Sequence, residues 1–324
     1  MTIIKNLSDI KMLELPTEWL VGPVNLYLIF GEKLTLVDGG IKYPGAWDVF
    51  NEFLNKKDLA VQDIEQVVLT HHHTDHIGML DYLLTEHTVP IYAHRNCIPY
   101  LNKDASHMKN SVVFFRELYE QFGIPLALSR KLAQRSTWQS GLDNKIELTS
   151  YLEEGMTIPG LTEWQVIDTK GHAQSHISLF RKKDGVLLCG DHLIKHFPAG
   201  TFLEPPIYPD RERSKPLIQY VDNLYKLLKL PVRVALSGHG ELIDDLPGLI
   251  YRILEKIDKR TERVKKVLRY GPKNGFELVQ TLYPDRYEKQ LKAYVSDTIC
   301  LLDLLLKRQQ IASFKKDGVI YYER

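Results

Sequence analysis

Apolar residues recur along this chain at two spacings, and the changes from one to the other mark out its elements. Residues 24–30 (VNLYLIF) and 34–38 (LTLVD) read as two strands joined by a turn at Gly31-Glu32-Lys33. A helix is predicted over 46–57, and a buried strand over 66–70 (QVVLT). A second helix follows over 77–85, with Thr74 or Asp75 as its N-cap, and then a strand over 90–94 (PIYAH). Strands alternating with helices in this way predict a layered α/β architecture. Residues 99–148 break that rhythm. FFRELYEQFGIPLALSRKLAQR reads as two helices interrupted at Gly123-Ile124-Pro125, and no strand pattern returns before residue 163, so the segment reads as a helical insertion. Strands resume at 164–169, 176–180, 185–189 and 233–237, with helices over 214–229 and 248–269. Beyond Arg269 come a turn, a short helix (276–282), a long helix (288–308) and a hairpin turning at Asp317-Gly318. That is the element order of a winged helix. Two domains are therefore expected: 1–250, carrying the insertion, and a winged-helix-like 251–324.

The densest chemistry lies where the strand 66–70 ends, at His71-His72-His73-Thr74-Asp75-His76. Alternate residues of an extended segment point the same way, so His71 and His73 can share one metal ion. The turn into a helix then aims Asp75 and His76 at a second ion, while His72 points away. Imidazole nitrogen and carboxylate oxygen both bind zinc at about 2.0–2.2 Å. Three further candidates each follow a glycine at a strand's end: Gly171-His172, Gly190-Asp191 and Gly238-His239. Glycine lets the backbone turn sharply and approach a site closely. Taken singly, His172 or His239 reads as a core histidine. Beside the 71–76 cluster they read as ligands, because so many imidazoles packed without a metal would repel one another when protonated. His72, His87, His94, His107 and His196 read as surface or core residues, His192 as a residue that supports the ligands from behind or faces solvent, and Cys189 as a small core residue.

The motifs THHHTDH, TKGHAQSH, CGDH and SGHG, in this order over about residues 13–250, resemble those of the metallo-β-lactamase superfamily. The resemblance implies an αββα sandwich. It implies one metal held by His71, His73 and His172, and another by Asp75, His76 and His239, with Asp191 and a hydroxide bridging both. Aspartate rather than cysteine at 191 resembles the glyoxalase-II, lactonase and nuclease branches, and His73 stands where the flavodiiron branch tends to have glutamate. His176 is placed beside the site. The insertion and the tail resemble, more loosely, a subgroup that includes endoribonucleases akin to the mitochondrial lactamase-β-like protein.

Composition adds bounds rather than a function. The chain has 324 residues, 44% hydrophobic and 26% charged, with a net charge of +1, which predicts no generally acidic or basic partner. Three scattered cysteines predict a reducing, cytoplasmic setting. The first residues lack the apolar core of a signal peptide, and no run approaches ~18 apolar residues, so no membrane partner is expected. Charge is uneven: 251–324 holds 17 Lys and Arg against 10 Asp and Glu, an excess of seven, which leaves the rest at minus six. The expected function is hydrolysis by a metal-bridging hydroxide, with Asp75 and Asp191 as catalytic carboxylates and two divalent ions, zinc first and iron or manganese as alternatives. The expected substrate is a small ester or thioester, under a lid of Phe114, Phe115 and Tyr119. The alternative is an endoribonuclease that engages RNA through the basic tail, and behind it a non-catalytic nucleic-acid or effector-binding regulator. A homodimer is an expected assembly.

Overall fold

The structure, a computed structural model, describes residues 7–136, 141–207 and 212–324; residues 137–140 of the predicted insertion lie outside them. The chain divides into two compact units. Met1–Lys103, Gln139–Ala199 and Asn223–Leu249 form the first, and Asp104–Trp138, Gly200–Asp222 and Ile250–Arg324 the second. The helices of the predicted insertion thus share a unit with the C-terminal region. The boundary expected near residue 250 falls inside one unbroken helix, Leu246–Leu268.

The first unit holds two sheets. One contains β1 (Ile10–Leu15), β2 (Val24–Phe30), β3 (Leu34–Val37), β4 (Gln66–Val68), β5 (Ile91–Ala93) and β6 (Ser150–Tyr151), in that order. It is antiparallel from β1 to β3 and parallel from β3 to β6. The other contains β7 (Thr157–Ile158), β8 (Leu161–Asp168), β9 (Ile177–Arg181), β10 (Val186–Gly190) and β11 (Val234–Ser237), ordered β11-β10-β9-β8-β7. The period-two alternation of β2 sorts its side chains between two cores. Leu26 and Leu28 join Phe50 and Leu54 of α1 (Ala46–Asn55) and Leu80 and Leu83 of α3 (Leu80–Glu86). Tyr27 and Ile29 face the other way, into a core shared with Trp164, Val166, Leu179, Leu188 and Leu236 of the second sheet. Each such buried side chain contributes roughly 1.5–3 kcal/mol. The outcome is a mixed α/β sandwich in which β4, β8, β10 and β11 all end at the same edge as the candidate ligands.

The predicted helix 77–85 is instead two. α2 (Thr74–Ile77) starts early, behind an extended His73 at its N-cap, and α3 follows after a break. The break has a cause. The N–H groups of Gly78 and Met79 donate to Gly40 (2.7 Å) and Gly39 (3.0 Å) instead of continuing the helical ladder. α4 (Ile98–Leu101) completes this region.

In the second unit, α5 (Ala105–Gln121) and α6 (Leu126–Ser136) are the two insertion helices. Helices α7 (Pro216–Leu227) and α8 (Leu246–Leu268) supply residues to both units. Then come β12 (Lys273–Asn274), α9 (Gly275–Leu282), α10 (Leu291–Lys307), β13 (Ala312–Lys316) and β14 (Val319–Glu323), with sheet order β12-β14-β13. The hairpin turns where expected: Asp317 and Gly318 both have positive φ, 50° and 83°, as a type I′ turn requires. The insertion packs on this region. Phe276 N–H donates to the Phe122 carbonyl (2.9 Å), and Phe122 fills the space beside Gly275. α10 is largely buried, and two residues of the preceding segment reach it: Leu203 N–H donates to Ser296 Oγ (3.2 Å), and Arg213 holds Asp303 with two bonds of 2.6 Å. Among the described residues no helix is long and apolar enough to cross a membrane.

Candidate metal centre

The histidine run leaves β4 in extended form and enters α2 at Thr74, which puts His71 and His73 on one side and Asp75 and His76 on the next turn. His172 follows β8, Asp191 follows β10 and His239 follows β11. The fold brings all seven predicted ligands together, and all seven are buried. Their atoms form two groups, His71 with His73 and His172, and Asp75 with His76, Asp191 and His239, each within 4.8 Å. In the first group the rings converge from three directions. Centroids lie 4.6–5.0 Å apart with interplanar angles of 70–81°, and His73 Nδ1 and His172 Nε2 meet at 2.9 Å. In the second, His239 Nε2 lies 3.1 Å from Asp75 Oδ2 and 3.3 Å from Asp191 Oδ2, and His76 Nε2 lies 3.3 Å from Asp191 Oδ1. Asp191 also reaches toward the first group, with Oδ2 3.6 Å from His172 Nε2.

The backbone of the site depends on glycine at two points. Gly190 has φ +47°, and a Cβ there would meet His176 Nε2 at 2.7 Å. A Cβ at Gly238 would meet Asp191 Oδ1 at 2.1 Å. Neither position tolerates a side chain without moving a ligand or its neighbour.

The electrostatics separate the two groups. Burial, then His76, His73 and His172, hold His71 well below the ordinary imidazole range, and burial with His172 does the same for His73. These rings stay unprotonated and offer lone pairs. His76 goes the other way: burial would lower it, but Asp191, Asp75 and Asp38 hold it well above its usual value. Against burial, Asp191 and Asp75 lift His239 to about 9. Asp191 would be raised by burial, yet His76 and His239 hold it well below the carboxylate range.

Whether these residues suit divalent ions can be judged from atoms left over. His71 Nε2, His76 Nε2 and Asp191 Oδ1 are buried and have no hydrogen-bond partner among the described residues. The far side of three rings is meanwhile tied down. His76 Nδ1 donates to Asp38 (2.8 Å) and His239 Nδ1 to the Pro23 carbonyl (2.7 Å). Thr70 Oγ1 donates to Asp38 and accepts from His71 Nδ1 (3.0 Å). That network leaves each Nε2 to face the centre, as ligating histidines require. The donor set fits.

His72 turns aside, stacked on Tyr100 at 3.6 Å and bonded through Nδ1 to Ser175 Oγ (2.7 Å). His176 sits beside the centre, its Nδ1 against Thr169 Oγ1 (2.8 Å) and its Nε2 accepting the Asp191 N–H (3.1 Å). His192 is buried, and burial pushes it down to about 3. Cys189 is a buried thiol directed at the carbonyls of Leu236 and Leu193. Phe114, Phe115 and Tyr119 lie on α5 in the second unit, where Phe115 and Tyr119 are buried and stack at 5.7 Å. Asp38 escapes the sequence reading. Its carboxylate takes the Thr70 N–H (2.7 Å), the Thr70 hydroxyl and His76. An aspartate with two glycines after it, at the end of the apolar run LTLV, is the available signal.

The family model described as the metallo-beta-lactamase superfamily matches residues 19–239. The chain is 36% identical over 318 residues to a Bacillus subtilis protein named probable metallo-hydrolase YqjP, covering 98% of both chains. Among solved structures it resembles a metallo-beta-lactamase family protein of Thermus thermophilus, with TM-score 0.76, 23% identity and 98% of both chains covered. It also resembles a beta-lactamase domain protein of Burkholderia ambifaria, with TM-score 0.78, 19% identity, and 98% of this chain and 92% of that one covered.

Proposed function

Because the chain belongs to the metallo-beta-lactamase superfamily and is a metallo-hydrolase, we propose that it hydrolyses a small ester or thioester at a dinuclear centre. His71, His73 and His172 would hold one ion and Asp75, His76 and His239 the other, with Asp191 reaching both. Zinc suits these donors best, with iron or manganese also compatible. Divalent ions there would lower the pKa of water toward neutrality and polarise the scissile carbonyl. The chain's own part is to place and orient. Asp38 and the Pro23 carbonyl fix His76 and His239, and His176 fixes the Asp191 backbone. Asp75, whose Oδ2 is 3.1 Å from His239, is the carboxylate that orients the attacking water.

The observation that carries the substrate class is an apolar rim. Residues 17–23 end at Pro23, the partner of His239, and are tied by the Val21 carbonyl to His196 (2.9 Å), whose ring lies against Gly240. This loop exposes Trp19 and Leu20, the latter by 87%, and Phe197 is exposed next to His196. Apolar side chains beside a few polar groups suit an organic acyl substrate. Much of the basic run of α8, by contrast, is paired. Lys259 pairs with Glu255 (2.7 Å), Lys265 with Glu262 (2.5 Å), Arg260 with Asp297, and Arg263 donates to the Leu282 carbonyl (3.1 Å). That weighs against an RNA track.

The test is a panel of thioesters, lactones, phosphodiesters and short RNA, assayed with metal-free protein and after adding zinc, iron or manganese. Turnover of the ester class that needs added metal is expected. Metal-dependent cleavage of RNA with no ester turnover would reverse the assignment.

A further inference from the structure

β2 is apolar and buried from Val24 to Ile29 with one exception, Asn25, which is fully buried and whose Oδ1 has no hydrogen-bond partner among the described residues. A half-satisfied buried amide is unfavourable, and a leucine would complete the strand. What the amide does explains its presence. Nδ2 donates to the Ser237 carbonyl (3.0 Å) and to the Gly240 carbonyl (2.8 Å), bracketing His239. Two positions on, on the same face of β2, the Tyr27 hydroxyl also donates to the Ser237 carbonyl (2.6 Å). The Asn25 N–H donates to the Gly238 carbonyl between them (2.7 Å). The segment so gripped has glycine on both sides of its histidine, with Gly240 at φ +71°. Such a segment has little stiffness of its own.

We propose that Asn25 and Tyr27 are positioning residues that hold Ser237–Gly240 so that His239 Nε2 meets Asp75 and Asp191. They then set the affinity of the Asp75/His76/His239 site for its ion and leave the His71/His73/His172 site alone. The proposal rests on the two-site reading above.

Cobalt(II) titration of the metal-free full chain, followed by visible absorption with thermal melts alongside, tests it. The unaltered protein should take up two equivalents, and His239→Ala identifies the equivalent and the absorption band that belong to its site. Asn25→Leu should weaken that equivalent alone by about 10-fold or more, the scale seen when a ligand's supporting bonds are lost, without lowering the melting temperature of the metal-free protein. Asn25→Asp keeps the shape but sets acceptors against two carbonyls, and should weaken it at least as much. Tyr27→Phe removes one donor, should give a smaller loss of the same equivalent, and serves if the Asn25 variants do not fold. Unchanged affinity for both equivalents in the folded variants, or parallel loss of both, overturns the proposal. Failure of the unaltered protein to bind a second equivalent overturns the two-site reading instead.

Discussion

Asp38 holds His76 directly and His71 through Thr70, although no rule of ligand spacing would single it out. It sits in the left-handed region at φ 67° and gathers Thr70 and His76, two residues of the ligand run. Asp38→Asn keeps the volume but gives up acceptor capacity, so His76 loses its fixed orientation. Metal affinity, measured by competition with a chelator, should fall about 10- to 100-fold; an unchanged affinity would show that Thr70 and His76 hold themselves in place. Gly238→Ala makes a sharper demand, because its Cβ would sit 2.1 Å from Asp191 Oδ1. The carboxylate has to leave, and hydrolysis should drop by orders of magnitude while the circular dichroism spectrum stays that of the unaltered protein. Full activity in Gly238→Ala would mean that Asp191 has no fixed role. The seven ligands are legible because imidazoles crowd one strand end and glycine precedes the rest. Asp38, Asn25 and Tyr27 are not, because their meaning lies in contacts 32 to 215 residues away in the chain.

Elements are legible where periodicity is long and illegible where a tertiary contact overrides it. β1 gives no clear signal, its six residues IKMLEL making only a short alternation. The helix after the histidines reads as one because nothing in the local sequence announces that Gly78 will bond to Gly40. α10 is legible as an apolar helix in need of cover, and within the second unit Leu203 and Arg213 contribute to it. The Arg213–Asp303 pair is central to that cover. Asp303 is nearly buried, and removing it leaves a guanidinium with 24% of its side chain exposed and no carboxylate beside it. Breaking a buried pair on one side costs about 3 kcal/mol. Asp303→Ala should therefore lower the unfolding free energy of the second unit by that much, obtained from denaturant titration of the tyrosine-rich signal of 251–324, while metal uptake is unchanged. A loss below about 0.5 kcal/mol, the scale of an exposed pair, would mean the segment is held by its apolar contacts instead.

At the scale of the whole molecule, the uneven charge suggests a division of labour, with seven excess positive charges in 251–324. The structure gives much of that charge a local employment. Arg308 pairs with Asp258 (2.7 Å), Lys307 with Asp222 (2.9 Å), and on α8 Lys259 and Lys265 pair with acids one turn away and Arg260 with Asp297. The helix a winged helix would offer to nucleic acid is itself largely buried, its Val295, Ile299, Leu302 and Leu305 in the core. The relative at 36% identity aligns over 98% of this chain, so the alignment extends into this region. Counterion release gives a clean test of what the remaining charge does, since each phosphate contact adds about 0.7 to the logarithmic salt slope for a single strand. Lys256, Lys259 and Lys266 are exposed on α8. Reversing them together to glutamate should leave ester hydrolysis intact, and neither protein should cleave RNA at about 150 mM salt, where a weak electrostatic association is already screened. If the unaltered protein cleaves RNA in a metal-dependent way and the triple variant does not, the exposed lysines form a substrate track, and the apolar rim beside His239 is not what selects the substrate.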